Sequence, residues 1–230
     1  MFLNVLISIL GSFYSIVTKD NDLTKQSVSS AVNYSKPDSI MLDGSENNFS
    51  KDVKESLKII LLATVSVITY GIIHDLITTQ INFDYFASDR THHGPVTREY
   101  FPWVYKSNNR ILYALLWGTM ATWWVGLPLG ILWSISARLN NSYEKTTWNQ
   151  LIKPTAIFMG SMLVISLVAG VITYADSQDS FNTVAEMHGW SYLTGIVGGL
   201  MMTYYIYNKR KPLNNTIEIT SNGIVLNLMP

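Results

Sequence analysis

Ionisable side chains inside apolar segments are the first residues to question, because holding them there is costly. His74 and Asp75 stand side by side near the end of an apolar stretch that begins at Leu57. An ionised group at mid-bilayer costs about 2.5–3.5 kcal/mol even on the lenient insertion scale, so intramembrane ionisable residues are functional candidates. Gly71, His74, Asp75 and Thr78 follow the i, i+3, i+4, i+7 pattern and form one polar face of an otherwise apolar helix, with Tyr70 one turn below His74. That face must turn toward other helices or toward water.

The chain has four histidines, and His188 opens another apolar run at a depth similar to that of His74. Together with Asp75, and with Asp176, Glu186, His92 and His93 close in sequence, they can converge on one vestibule. Imidazole and carboxylate ligands suit zinc, manganese or non-haem iron, and the adjacent carboxylate can fix a histidine tautomer. The spacing matches no established ligand motif. The plainer reading is that His74 and Asp75 cap a span end while the loop histidines are solvated. Haem between His74 and His188 is a further expectation, limited to one group near the surface because no second axial pair exists. The same pair with Tyr70 also fits a quinone or proton-relay site. The vestibule set is thus Tyr70, His74, Asp75, Thr78, Tyr85 and His188, with His74, Asp75 and His188 as the metal ligands and a divalent metal or haem as the cofactor.

Other chemistries are absent. There is no cysteine, which removes disulfides, thiolate metal sites and thiol nucleophiles. No serine sits in a Gly-x-Ser-x-Gly elbow, and neither His-Glu-x-x-His nor a phosphate-binding loop occurs. The spans carry no central glutamate of the kind that small multidrug exchangers use.

The elements that must position these residues are membrane helices. Charged residues make up 14% of the chain against 48% hydrophobic, where a soluble domain carries about 25% charged. Lysine plus arginine and aspartate plus glutamate balance at 16 each, which argues against nucleic acid as a partner. Four charge-poor stretches, residues 57–73 (running on to 81), 111–137, 154–175 and 189–208, each approach the roughly 20 residues that a spanning helix needs. The expected fold is an all-α integral membrane protein, a four-transmembrane-helix bundle spanning residues 57–208. Residues 1–18 read as an apolar signal-like or interfacial segment and 19–56 as a flexible polar linker. Residues 209–230 form a tail with a short β-hairpin around Asn222-Gly223. Lysines and arginines at 51–58, 138–153 and 209–211 place both termini inside, in a bacterial cytoplasmic membrane.

Small residues recur every four positions at Ala114, Gly118, Thr122, Gly126, Gly130 and Ser134, and again at Ser191, Gly195, Gly199 and Thr203. Such ridges let helices approach closely, within the chain, in a homo-oligomer or against a membrane partner. Pro128 predicts a kink in the second span. Residues 82–109 are rich in aromatics and suit an interfacial anchor or a lid over the vestibule.

Two segments carry a resemblance. Tyr70-Gly71-Ile72-Ile73-His74-Asp75 followed by Tyr85-Phe86, and Ala121-Thr122-Trp123-Trp124-Val125-Gly126, resemble a group of uncharacterised small bacterial multi-pass membrane proteins. The likeness covers the first two spans and their loop. It implies a membrane architecture and points to His74, Asp75, Tyr85 and Phe86 without implying a reaction. Three functions follow as expectations: an outward-facing His/Asp ligand or metal site supporting redox or hydrolytic chemistry, a non-enzymatic subunit or assembly factor, and a small oligomeric transporter.

Overall fold

The computed structural model describes the backbone of residues 43–140, 142–212, 217–220 and 223–226, and side chains within 49–140 and 142–212. The expected apolar segment at 1–18 lies outside the described residues. Helix α1, Asp43–Ile81, is 39 residues long and begins inside the stretch that composition assigns to a linker. Its polar first turns are held from outside: Arg138 donates to the Asp52 carbonyl at 3.2 Å, Lys145 pairs with the Asp52 carboxylate, and the Trp148 N–H donates to Glu55 at 3.3 Å.

Three short helices follow, α2 (Asp84–Ala87), α3 (His93–Tyr100) and α4 (Pro102–Ser107). Pro102 opens α4 at its first position, where a missing N–H costs nothing. The three fold over one end of the bundle as a cap with its own small core of Phe86, Val104, Tyr113, Trp117 and Val184. Then come α5 (Arg110–Met120), α6 (Trp123–Arg138), α7 (Asn149–Ser177) and α8 (Ser180–Lys209). Asn109 and Asp179 cap α5 and α8, each accepting from two backbone N–H groups of the first turn.

Helix α1 packs against α5, α6 and α7, and α8 closes the bundle against α6 and α7. The main core joins Ile59, Ala63, Tyr70, Trp133, Phe158, Met162, Met202 and Ile206. The first small-residue ridge lies directly on α1. A Cβ at Gly118 would stand 2.6 Å from the Ile72 Cα, one at Gly126 2.8 Å from the Thr64 Cα, and one at Gly130 2.8 Å from the Ile60 Cα. Contact thus moves in steps of eight and then four residues, equal on the two antiparallel helices. The second ridge meets α6 and α7, where a Cβ at Gly199 would reach the Leu129 side chain at 2.9 Å and one at Gly195 the Met162 methyl at 3.2 Å.

The interruption in the second apolar stretch falls at Ala121–Thr122, while the helix runs on through Pro128. The Thr122 N–H donates to the Thr119 carbonyl at 3.2 Å, and its hydroxyl takes the Gly118 carbonyl at 2.5 Å. Side chain thereby replaces backbone at one rung, which separates α5, part of the cap core, from α6.

At the end opposite the cap, Arg210 is buried and donates to the carbonyls of Ser136 at 3.2 Å, Asn140 at 2.7 Å and Glu144 at 3.0 Å, and to that of Leu139. Helix α6 leaves its last carbonyls without intrahelical donors, and this one guanidinium serves several of them. Farther on, β1 (Ile217–Thr220) pairs antiparallel with β2 (Gly223–Leu226), and the expected turn at 221–222 lies outside the described residues.

Three helical stretches are long and apolar enough to cross a membrane: Phe49–Ile81, Arg110–Arg138 and Asn149–Ser177. Helix α8 has the length, at 30 residues or about 45 Å, but carries Tyr, Trp, Gly, Ser and Thr where the others carry aliphatics. It is not among the three.

Candidate functional site

His74, Asp75 and His188 meet. They are 3%, 5% and 6% exposed, and one ligand atom from each lies within 4.8 Å of the other two. Asp75 Oδ1 is 3.3 Å from His74 Nδ1 and 3.2 Å from His188 Nε2. The two imidazoles pack edge to face with centroids 4.7 Å apart. The plainer capping expectation therefore does not describe His74 and Asp75, whose side chains face another helix.

The opposite nitrogen of each ring is also engaged. His188 Nδ1 is 2.8 Å from the Val184 carbonyl, one turn back on α8. A carbonyl only accepts, so Nδ1 carries a proton. His74 Nε2 is 2.9 Å from the Ser166 hydroxyl, which donates its own proton to the Met187 carbonyl at 3.0 Å. Nε2 is then also a donor. With both rings neutral, His74 Nδ1 and His188 Nε2 present lone pairs to the same carboxylate oxygen. In that state the three atoms are all acceptors, and either a further proton on one ring or a bound cation satisfies them together. Holding the outer nitrogen on a fixed acceptor is also how metal-binding histidines are oriented.

Tyrosines surround this centre. Tyr70 stacks on His74 at 5.8 Å and shares a 2.7 Å hydrogen bond with Ser191 on α8. Tyr85, from the cap, stacks on His188 at 4.8 Å. Burial, with smaller contributions from Tyr192 and Asp75, pushes the Tyr85 hydroxyl up to about 12, so it remains a neutral phenol. Tyr192 lies one turn beyond His188 with ring centroids 6.3 Å apart.

The cap adds a second layer. The buried His93 lies 5.3 Å from Tyr85, 5.5 Å from Phe86 and 4.3 Å from Trp117. Its Nδ1 meets the Thr91 hydroxyl at 3.1 Å, and Trp117 donates to Thr97 at 2.9 Å.

Of the expected vestibule residues, the structure brings together Tyr70, His74, Asp75, Tyr85 and His188. Thr78 is buried, but its hydroxyl donates to the His74 carbonyl of its own helix at 3.1 Å. Asp176, Glu186 and His92 are exposed, and His92 packs against His93 and Trp117 rather than the triad. Haem does not fit between His74 and His188. Axial histidines sit on opposite faces of a porphyrin, whereas these rings touch with Asp75 between their nitrogens. Ser166, Ser191 and Tyr192 were not foreseen. The signals for them were a serine inside the most apolar span and a tyrosine at i+4 from His188.

Fold and composition mark a helical protein with three membrane-capable helices and a buried two-histidine, one-carboxylate cluster. Comparison with family models, with curated proteins and with solved structures gives no match.

Proposed function

We propose that this chain is a four-span integral membrane protein whose His74, Asp75 and His188 bind a divalent metal ion on the outward half of the bundle. The observation that carries the reading is the convergence of His74 Nδ1, His188 Nε2 and Asp75 Oδ1 within 4.8 Å, with the far nitrogen of each ring already engaged by Ser166 or Val184. Two imidazoles and a carboxylate suit zinc or non-haem iron, and three protein ligands leave a coordination position free, as catalytic rather than structural sites do. An ion held there supplies Lewis-acid or redox chemistry. The chain's own residues orient the ligands through Ser166 and Val184, exclude water through Tyr85 and Phe86, and offer the phenols of Tyr70 and Tyr85 as neutral donors.

In this reading α8 is the fourth span, both termini lie inside a bacterial cytoplasmic membrane, and the C-terminal hairpin is an inner tail. A subunit or assembly role through the small-residue ridges is less supported, because intrachain contacts occupy Gly118, Gly126, Gly130 and Gly199.

Elemental analysis and cobalt titration of protein purified without chelator test the proposal. One ion per chain is expected, with the cobalt visible spectrum lost in His74→Ala, Asp75→Asn and His188→Ala. Wild-type protein that takes up neither zinc, iron nor cobalt would leave protons as the charge on the cluster and sink the metal reading.

A further inference from the structure

The buried cluster is covered unequally. Toward the cap, Tyr85 stacks on His188 at 4.8 Å, Phe86 is fully buried 5.7 Å from the same ring, and His93 lies behind both. Asn82 on α1's end donates to Ser180 on α8 at 2.8 Å, bridging the gap between the helices. Above them the Arg90 guanidinium covers Phe181 at 3.8 Å, and Phe181 itself lies 5.4 Å from Tyr85. Water arriving from this side meets two layers of side chains before Asp75.

The flank of α8 offers one layer. Tyr192 is 53% exposed, yet its ring is only 6.3 Å from that of the buried His188. On its outer side it begins an exposed stripe with Leu193, Ile196, Leu200 and Tyr204. From Tyr192 to Tyr204 that stripe rises about 18 Å against a hydrocarbon core of about 30 Å, and with α8 as a span it faces lipid.

We infer that the His74–Asp75–His188 cluster is reached from the bilayer past Tyr192, and that the molecule reaching it is a membrane-dissolved amphiphile with an apolar body and one polar group. The inference rests on the proposed reading of α8 as the fourth span. A phenol at this border suits the role, because its ring lies with lipid while its hydroxyl can hand a polar group on to Tyr70 and Asp75. The apolar body then stays on the stripe below. No bilayer-dissolved molecule has to cross the cap.

Carbodiimides of opposite solubility test the route without any need for metal. Dicyclohexylcarbodiimide enters lipid, whereas its ethyl-dimethylaminopropyl relative stays in water. In either case a carboxylate oxygen bonds to the central carbon as one C=N becomes a single bond, a proton from the medium goes to that nitrogen, and the O-acylisourea rearranges to an N-acylurea that keeps the whole reagent mass. With the full chain in lipid nanodiscs, the lipid-soluble reagent is expected to label Asp75. The water-soluble one should label the exposed Asp84 and Glu99 but spare Asp75. Tyr192→Ala should speed the lipid-side labelling several-fold, Tyr192→Trp should slow it, and Tyr85→Ala should admit the water-soluble reagent. Labelling of Asp75 from water in wild type, labelling by neither reagent, or indifference to both Tyr192 variants overturns the route. Zinc binding measured separately keeps the claims distinct: lipid-side labelling without metal affinity sinks only the metal reading, and metal affinity with water-side labelling sinks only the route.

Discussion

Ser166 decides which nitrogen of His74 faces Asp75, because its single proton goes to the Met187 carbonyl and its oxygen is left to accept from Nε2. Ser166→Ala strands a buried N–H, a cost of about 1–3 kcal/mol, and frees the ring to take the other tautomer. Losing such an outer partner typically lowers metal affinity about 10–100-fold. Zinc affinity measured by competition with a chromophoric chelator is expected to drop by that range, and Ser166→Thr to restore most of it. Unchanged affinity in the alanine variant would refute the tautomer assignment. A second residue-scale effect concerns the cap. Burial, followed by electrostatic repulsion from the neighbouring His92 and His188 and against a smaller opposing pull from Asp75, pushes His93 from its ordinary 6.5 down to about 3. An opened cap therefore takes up the proton first. Cap stability is full above about pH 6.5 and declines as pH falls from there toward 3. Hydrogen exchange across residues 93–100, corrected for intrinsic rates, should rise over that interval, and His93→Phe should flatten the rise. A wild-type profile without pH dependence would contradict the burial of a neutral His93.

The helices touch backbone to backbone, and single carbons test that packing. A Cβ at Gly118 would stand 2.6 Å from the Ile72 Cα and 2.7 Å from the Gly71 carbonyl carbon, neither of which can yield alone. Gly118→Val is expected to destabilise by roughly 1–3 kcal/mol, visible as a lower melting temperature in detergent. Gly160→Ala is the control, because a Cβ there meets nothing within 4 Å, and alanine gains about 0.5–1 kcal/mol over glycine inside a helix. Equal melting of the two variants would argue against the close contact. The period-four spacing of small residues made this ridge legible in the sequence, since spacing along a helix fixes a face. Which helix would cover the ridge was not legible, because every apolar neighbour offers a suitable surface. The break at Ala121–Thr122 was not legible for a related reason. Pro128 is the stronger breaker by residue type, but a threonine hydroxyl that competes for the Gly118 carbonyl acts only once α1 is pressed against Gly118 and Thr122.

At the scale of the whole molecule, the cap marks one end, and the Lys145–Asp52 pair and Arg210 mark the other. Reporter fusions are expected to read outside at Gln178 and inside after Lys211, and an outside signal at the latter would invert the proposed orientation. Depth was legible because charge-free runs count residues across the membrane, which put His74 and His188 at one level. Rotation about each helix axis was not, so Asp176, Glu186 and His92, close in sequence and expected to converge there, are exposed instead. The early start of α1 was hidden because Asp52 and Glu55 read as linker residues until Arg138, Lys145 and Trp148 reach them from the far side of the sequence. Arg210 extends that point to the order of assembly. The carbonyls of Leu139 and Asn140 leave the ribosome about 70 residues ahead of the guanidinium that binds them. Through most of synthesis water must therefore satisfy the tip of α6, and the bundle is latched by the residue that directly follows its final helix.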